Sequence, residues 1–306
     1  MYVKVIKIKW RLNILRKLYM PIIAITLLLA MVSLTAGCGV RINGREYEFF
    51  SSAANDKSNV INEIGSEASK EFVASVDKEN ADKIVLYNDS GNISIKKSEN
   101  SQIKVEADKK VRGASQNDKN AVLENMNIAI ERDGNLIRIV AETNNKKDFW
   151  DWLKDEYKTF QVTINYTILL PEGIKAIDIS TGAGNVEIED LSTEIKLNTE
   201  AGNIDIDEVI SLGNNKISTG AGNIRYDGNI DEIESFKVST GAGNIEFDVA
   251  ENSRMSLKAN TGIGVLSGSF IKKNSNIKLS FDEDINGGGP KVEISSGVGN
   301  IDVNKK

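Results

Sequence analysis

Four lysines stand at nearly even spacing in the second half of the chain: Lys196, Lys216, Lys237 and Lys258, 20, 21 and 21 residues apart. If the fold lines them up, such ammonium groups suit an extended anionic ligand. A second set could do acid–base work. Asp282, Glu283 and Asp284 lie together in FDEDINGGG, and clustered carboxylates cleave glycosidic bonds. A third set is aromatic: DFWDWLKDEYKTF, residues 148–160, holds Trp150 and Trp152, rings that can stack on sugars or on partner proteins. Each set also has a plain reading, as a solvated strand face, a solvated turn, and a cover over one flank of the fold. The chain has no histidine and one cysteine, Cys38, so Ser–His–Asp and Cys–His catalysis are excluded. We expect no catalytic residue, no metal and no cofactor.

The lysines belong to a repeat. Aligned on a glycine-rich turn, six copies read IDISTGAGNVEI, IKLNTEAGNIDI, KISTGAGNIRY, FKVSTGAGNIEF, LKANTGIGVLSG and VEISSGVGNIDV. The second glycine of each turn falls at Gly184, Gly202, Gly222, Gly243, Gly264 and Gly299. Asparagine follows it at Asn185, Asn203, Asn223, Asn244 and Asn300, with Val265 as the exception. The first glycine is replaced by Glu200 in the second copy, so only the second position strictly demands glycine. Apolar residues alternate on both sides of the turn, which makes each copy two half-buried strands and a corner. A strand, not a helix, comes after the turn, so it is no phosphate cradle, and the aspartate of calcium-binding glycine repeats is missing. Stacked asparagines can close β corners. The expected fold is all-β, a single-stranded parallel β-solenoid of short stacked strands, with a β-sandwich as the alternative. One such unit cannot bury its apolar face alone, so stacking is what makes the core. Outward positions of the leading strands then read Asp178, Lys196, Lys216, Lys237, Lys258 and Glu293. Those after the turn read Glu187, Asp205, Arg225, Glu246 and Asp302.

The N-terminus is a separate object. Lys4, Lys7, Lys9, Arg11, Arg16 and Lys17 precede the uncharged run PIIAITLLLAMVSLTAG at residues 21–37, the layout of an export signal. Ala36, Gly37 and Cys38 resemble the lipobox of bacterial lipoproteins. That resemblance implies cleavage before Cys38 and attachment of lipid chains, palmitate among them, to its sulfur. An uncleaved signal anchor is the alternative, and both place residues 39–306 outside the cytoplasm. Residues 1–37 are thus read as signal peptide, 38–81 as lipidated cysteine and polar spacer, and 82–306 as the repetitive domain. Without its basic leader the chain carries a net charge of −12, which disfavours nucleic acid as a partner.

TILLPEG at 167–173 with STGAGNIEF-type units after it resembles a bacterial family of candidate adhesins, a repetitive all-β domain of unknown function. The resemblance implies an exported or membrane-linked solenoid-like domain and brings no catalytic motif. The function expected is a non-catalytic envelope lipoprotein on the outer face of the bacterial cell membrane, a binding or scaffold module. Its partners would be the membrane through the lipid and a cell-wall polymer, a glycan or an envelope protein. A polysaccharide-active enzyme and a sensor of envelope stress are the alternatives.

Overall fold

In a computed structural model the described residues are 40–42, 45–47, 67–113, 115–157, 161–271 and 279–306. The leader and Cys38 lie outside them. The chain divides into two units, residues 1–58 and 59–306. In the first, β1 (Val40–Ile42) and β2 (Arg45–Tyr47) pair antiparallel. In the second, β3 to β20 form one 18-stranded sheet rather than the two separate sheets of a sandwich.

The repeat makes coils. The strand before each corner is β4 (Lys83–Ser90), β10 (Ala176–Ala183), β12 (Ser192–Ala201), the C-terminal half of β13 (Ile204–Ala221), that of β14 (Ile224–Ala242), β16 (Met255–Ile263) and β19 (Lys291–Val298). After the corner come β5 (Ile93–Lys97), β11 (Val186–Glu189), the N-terminal halves of β13 and β14, β15 (Ile245–Val249), β17 (Leu266–Ser267) and β20 (Ile301–Lys305). Neighbouring coils pair in parallel, residue for equivalent residue: Ile179 faces Leu197, Leu197 faces Ile217, Ile217 faces Val238 and Val238 faces Ile294. All five are buried, so alternation along each strand becomes an apolar ladder through the stack. After the corner Tyr226 stacks on Phe247 with ring centroids 4.8 Å apart, and Phe236 meets Tyr226 edge-on.

The coils do not keep the order of the sequence. β14 pairs with β19, and β19 pairs with β16, so the last copy is inserted between the fourth and the fifth. The corners explain why. Each corner asparagine accepts, through Oδ1, the backbone N–H of the equivalent residue in the next coil. The ladder runs Asn165, Asn92, Asn185, Asn203, Asn223, Asn244, Asn300, Val265 with every bond 2.8–3.0 Å. Valine has no such acceptor and so ends the ladder. In sequence order Val265 would sit inside it and leave the Asn300 N–H unpaired at the corner.

The same ladder contains a corner that the repeat alignment did not include. Ser90-Gly91-Asn92 starts the stack between β4 and β5. At Gly91, Gly184, Gly202, Gly222, Gly243, Gly299 and Gly264 φ lies between +127° and +159°, and an added Cβ would fall 1.9–2.1 Å from a carbonyl oxygen of the neighbouring strand. Both the dihedral and the close approach demand glycine. Beneath the corners Thr219, Thr240, Ser296 and Thr261 turn inward and donate their hydroxyls to corner glycine carbonyls at 2.7–3.0 Å.

Both ends of the stack depart from purely parallel pairing. At the first, β9 (Gln161–Leu170) runs parallel to β5 but antiparallel to β6 (Gln102–Arg112), which pairs antiparallel with β3 (Ala68–Asp77). The hairpin of β7 (Asn127–Asp133) and β8 (Leu136–Glu142) joins there through β4. At the other, β18 (Ser280–Ile285) lies antiparallel on β16. β3 falls in the segment read as spacer. Phe72, Ala74 and Val76 alternate with more exposed residues, a strand period that the polar residues around them masked. Among the described residues of this unit there are also two short helices, α1 (Gln116–Asn125), capped by Ser115, and α2 (Phe149–Glu156), capped by Asp148.

Candidate anion-binding face

The lysine row is built by the ladder beneath it. Lys196, Lys216 and Lys237 each stand between two buried neighbours along their strands, and the register sets Lys196 opposite Lys216 and Lys216 opposite Lys237. Adjacent strands of a sheet lie about 4.8 Å apart, so three exposed ammonium groups repeat at that step. The four-lysine row expected from sequence is corrected here. Glu293 on the inserted strand lies between Lys237 and Lys258, and beyond Lys258 comes Asp282. Beyond Lys216, insertion converts a run of like charges into Lys–Glu–Lys–Asp, which removes the repulsion that Lys237 and Lys258 would have if stacked in sequence order.

The three contiguous lysines are not equivalent. Lys196 Nζ lies 2.7 Å from Glu194, and that hydrogen bond raises its pKa. Asp178, at one end of the row, pairs with Lys83 at 3.7 Å, and Glu293, at the other, with Lys291 at 2.7 Å. The Lys291 hydrogen bond holds the Glu293 carboxyl below the usual carboxylate range. Lys258 reaches Asp282 at 3.9 Å. Lys216 and Lys237, directly opposed, have no ion-pair partner among the described residues. Beside them runs a polar row, Asn198, Ser218 and Ser239, in the same register. Ser218 Oγ donates to Asn198 Oδ1 at 2.8 Å. The face therefore offers Lys216, set between Lys196 and Lys237, and Lys237 with Glu293 opposite it, flanked by hydroxyl and amide groups.

The acidic row after the corners is different. Arg225 Nη1 lies 3.0 Å from Asp205, and its Nη2 lies 3.3 Å from Asp207 and 3.9 Å from Asp227. Hydrogen bonding to Asp205 raises the arginine further. Lys96 lies 2.8 Å from Glu189 and 3.5 Å from Glu187, and Lys306 pairs with Asp227. Much of that row is answered within the protein. Among the described residues no group of three or more acids is placed to hold a metal ion.

The other two candidate sets are not assembled as sites. Phe149 and Trp150 are buried, the latter 3% exposed, and Trp152 is half-buried with its ring 5.7 Å from Phe149 and 5.3 Å from Tyr157. Trp150 therefore presents no face for a sugar, and α2 is cover for the core. Its helical spacing of Phe149, Trp150 and Leu153 on the buried side was the signal for that reading. Asp282, Glu283 and Asp284 lie along edge strand β18. Asp284 accepts from Ser256 Oγ at 2.6 Å and Asp282 faces Lys258, while Glu283 is set opposite Leu257. They do not flank a common cleft. A cleft of about 430 Å³ beside Leu170, Pro171, Ile174 and Leu191 has Lys97 and Glu172 on its rim, joined to each other at 3.2 Å.

Residues 81–306, the stack with its end strands other than β3, match the model of the Toastrack DUF4097 family. The chain belongs to that family. The resemblance read from TILLPEG and the glycine corners points to the same all-β domain. The Toastrack domain is similar to a crystal structure from Clostridium sporogenes described as a candidate cell adhesion protein. Identity is 18%, coverage is 78% of this chain and 100% of that one, and the TM-score is 0.45. A candidate adhesin from Bacteroides fragilis is 16% identical over 76% of this chain and 97% of its own, with a TM-score of 0.38. A candidate lipid-binding protein from Parabacteroides distasonis is 13% identical over 79% and 97%, with a TM-score of 0.30. No curated protein shows a significant match.

Proposed function

We propose that this Toastrack chain is an exported lipoprotein, held on the outer face of the cell membrane through Cys38. Its β-domain is a non-catalytic binding module for an anionic cell-wall polymer. The observation that carries the ligand class is the pair Lys216 and Lys237, opposed in register and without ion-pair partners among the described residues. Holding two like charges about 4.8 Å apart is unfavourable by a few tenths of a kcal/mol, and an anion lying across them reverses the sign. Lys196 extends the row, so a chain of phosphates or carboxylates running along the stack meets three cations. The leader and Ala36-Gly37-Cys38 support the location.

The test is a titration of residues 59–306 with polyphosphate as the probe. Lys216→Gln/Lys237→Gln should weaken binding at least tenfold, and the salt dependence should flatten with it. Glu187→Gln, on the acidic row, should leave binding unchanged or slightly stronger. Equal affinity of wild type and the lysine variant would overturn the assignment. For the anchor, incorporation of labelled palmitate into the full chain should vanish in Cys38→Ala, and label retained in that variant would contradict it.

A further inference from the structure

At each corner one residue sits between the two glycine positions and points outward. In stack order it reads Ser90, Ala183, Ala201, Ala221, Ala242, Val298, Ile263. Four alanines give way to valine and then isoleucine in the last two coils only. Val298 is 43% exposed and Ile263 is 70% exposed, and the two face each other in register. The next position changes there too: Val265, 44% exposed, replaces the corner asparagine. Leu279, 47% exposed, adds to the same end, its carbonyl accepting the Thr261 N–H at 2.9 Å. Gly262, Gly264, Gly297 and Asn300 lie between them, so among the described residues this corner carries no charge in a chain that is 27% charged. Branched apolar residues are exposed together at one end, where the other coils have alanine or serine, and form an apolar patch among the described residues.

We infer that this corner is a membrane-contacting tip, resting on the surface of the bilayer with Ile263, Val265, Val298 and Leu279 among the lipid headgroups and upper acyl chains. Two observations choose lipid over a second copy of the chain. The patch is a convex corner, which gives a flat or convex protein surface little area to bury, whereas a bilayer deforms around it. It is also within reach. Cys38 adjoins the β1–β2 pair, and the 19 residues between Tyr47 and Glu67, where the described part of this unit begins, can span about 60 Å of extended chain. Seven coils at about 4.8 Å make a stack of only about 30 Å. A handful of exposed apolar side chains binds a bilayer weakly on its own, but tethering converts that into an orientation by raising the effective concentration. With the tip down, the stack stands on its last coil and the lysine face runs outward from the membrane.

The setting rests on the envelope location proposed above, but the test supplies its own tether. Residues 59–306 hold the whole 18-stranded sheet and its core and form a compact unit. The chain has no histidine, so an N-terminal hexahistidine tag is the only attachment to phosphatidylcholine vesicles doped with a nickel-chelating lipid. An NBD probe at Ile263→Cys should shift to the blue and gain at least twofold protection from iodide on tethering. The same probe at Glu131→Cys, on β7 at the opposite end, should do neither. Adding Val265→Asp and Val298→Asp, both exposed positions, should abolish the response at 263. No change at 263 on tethering, or equal changes at both ends, would overturn the inference. A blue shift that appears with rising protein concentration and no vesicles would instead assign the corner to a contact between copies. Because the tag replaces the lipid, failure of palmitate labelling leaves this result intact.

Discussion

At Gly222 a Cβ would lie 2.0 Å from the Gly202 carbonyl oxygen, at a φ of +154°. Two residues earlier, at Gly220, it would lie 2.5 Å from the Glu200 carbonyl oxygen, with an ordinary dihedral, and the equivalent position in the preceding coil is Glu200 itself. Gly222→Ala should therefore cost about 3 kcal/mol or more in urea unfolding, and Gly220→Ala about 1 kcal/mol. Equal costs would deny the corner its special geometry. The asparagines act differently. Asn223→Ala removes the acceptor for the Asn244 N–H and should cost about 1–2 kcal/mol, whereas Val265→Asn, at the end of the ladder, should change stability by less than about 0.5 kcal/mol. Tyr226 is buried, its hydroxyl 2.8 Å from Ser211 Oγ. Burial raises its pKa above the ordinary phenol range, with the Ser211 hydrogen bond opposing in part. A group raised on folding contributes stability that is complete below its unfolded pKa, near 10, and is lost as the pH climbs toward the folded value. Tyr226→Phe should cost about 1–2 kcal/mol at pH 7 by stranding Ser211, and should also flatten the alkaline fall in stability. An unchanged alkaline limb would show that the phenol does not titrate with unfolding.

At the scale of elements the decisive residues are Glu293 and Val265, which fix where β19 goes. Glu293→Lys would close the gap between Lys237 and Lys258 and make one uninterrupted cationic row from Lys196 to Lys258. The expected cost is about 1 kcal/mol at low salt, shrinking as salt is added, because each opposed pair contributes a few tenths. A cost that ignores salt would mean the charges do not oppose one another. The corner repeat and its apolar alternation made the strands and their faces legible, since both are local patterns. The order of the coils was not legible by counting along the chain. It depends on which copy lacks an acceptor and which carries an acid, and such signals mean something only between neighbours. β3 was hidden for a related reason: an edge strand with one half-buried face keeps polar residues on the other. Gly91-Asn92 was missed because the copy before it carries Asn88 in place of threonine and no first glycine. Trp150 and Trp152 carried both a helical period and an aromatic cluster, and only packing against Phe149 separates cover from platform.

At the scale of the whole β-domain, the unit of residues 59–306 is a short stack with one chemistry on each side. The acidic face is largely neutralised by Arg225, Lys96 and Lys306; the opposite character, three lysines in line, lies on the strands before the corners; and the apolar corner marks one end. Where the lysine row stops and which residues make up the apolar corner both depend on the inserted order. The most direct test is disulfide trapping in a Cys38→Ser chain, which then has no other cysteine. Ala242 lies opposite Val298, and Val298 opposite Ile263, so Ala242 and Ile263 are two strand spacings apart, about 9.6 Å. Ala242→Cys/Val298→Cys should oxidise readily to an intramolecular disulfide, while Ala242→Cys/Ile263→Cys, beyond disulfide reach, should stay reduced. Ready oxidation of the 242/263 pair with the 242/298 pair left reduced would mean the coils stack in sequence order and would contradict the account.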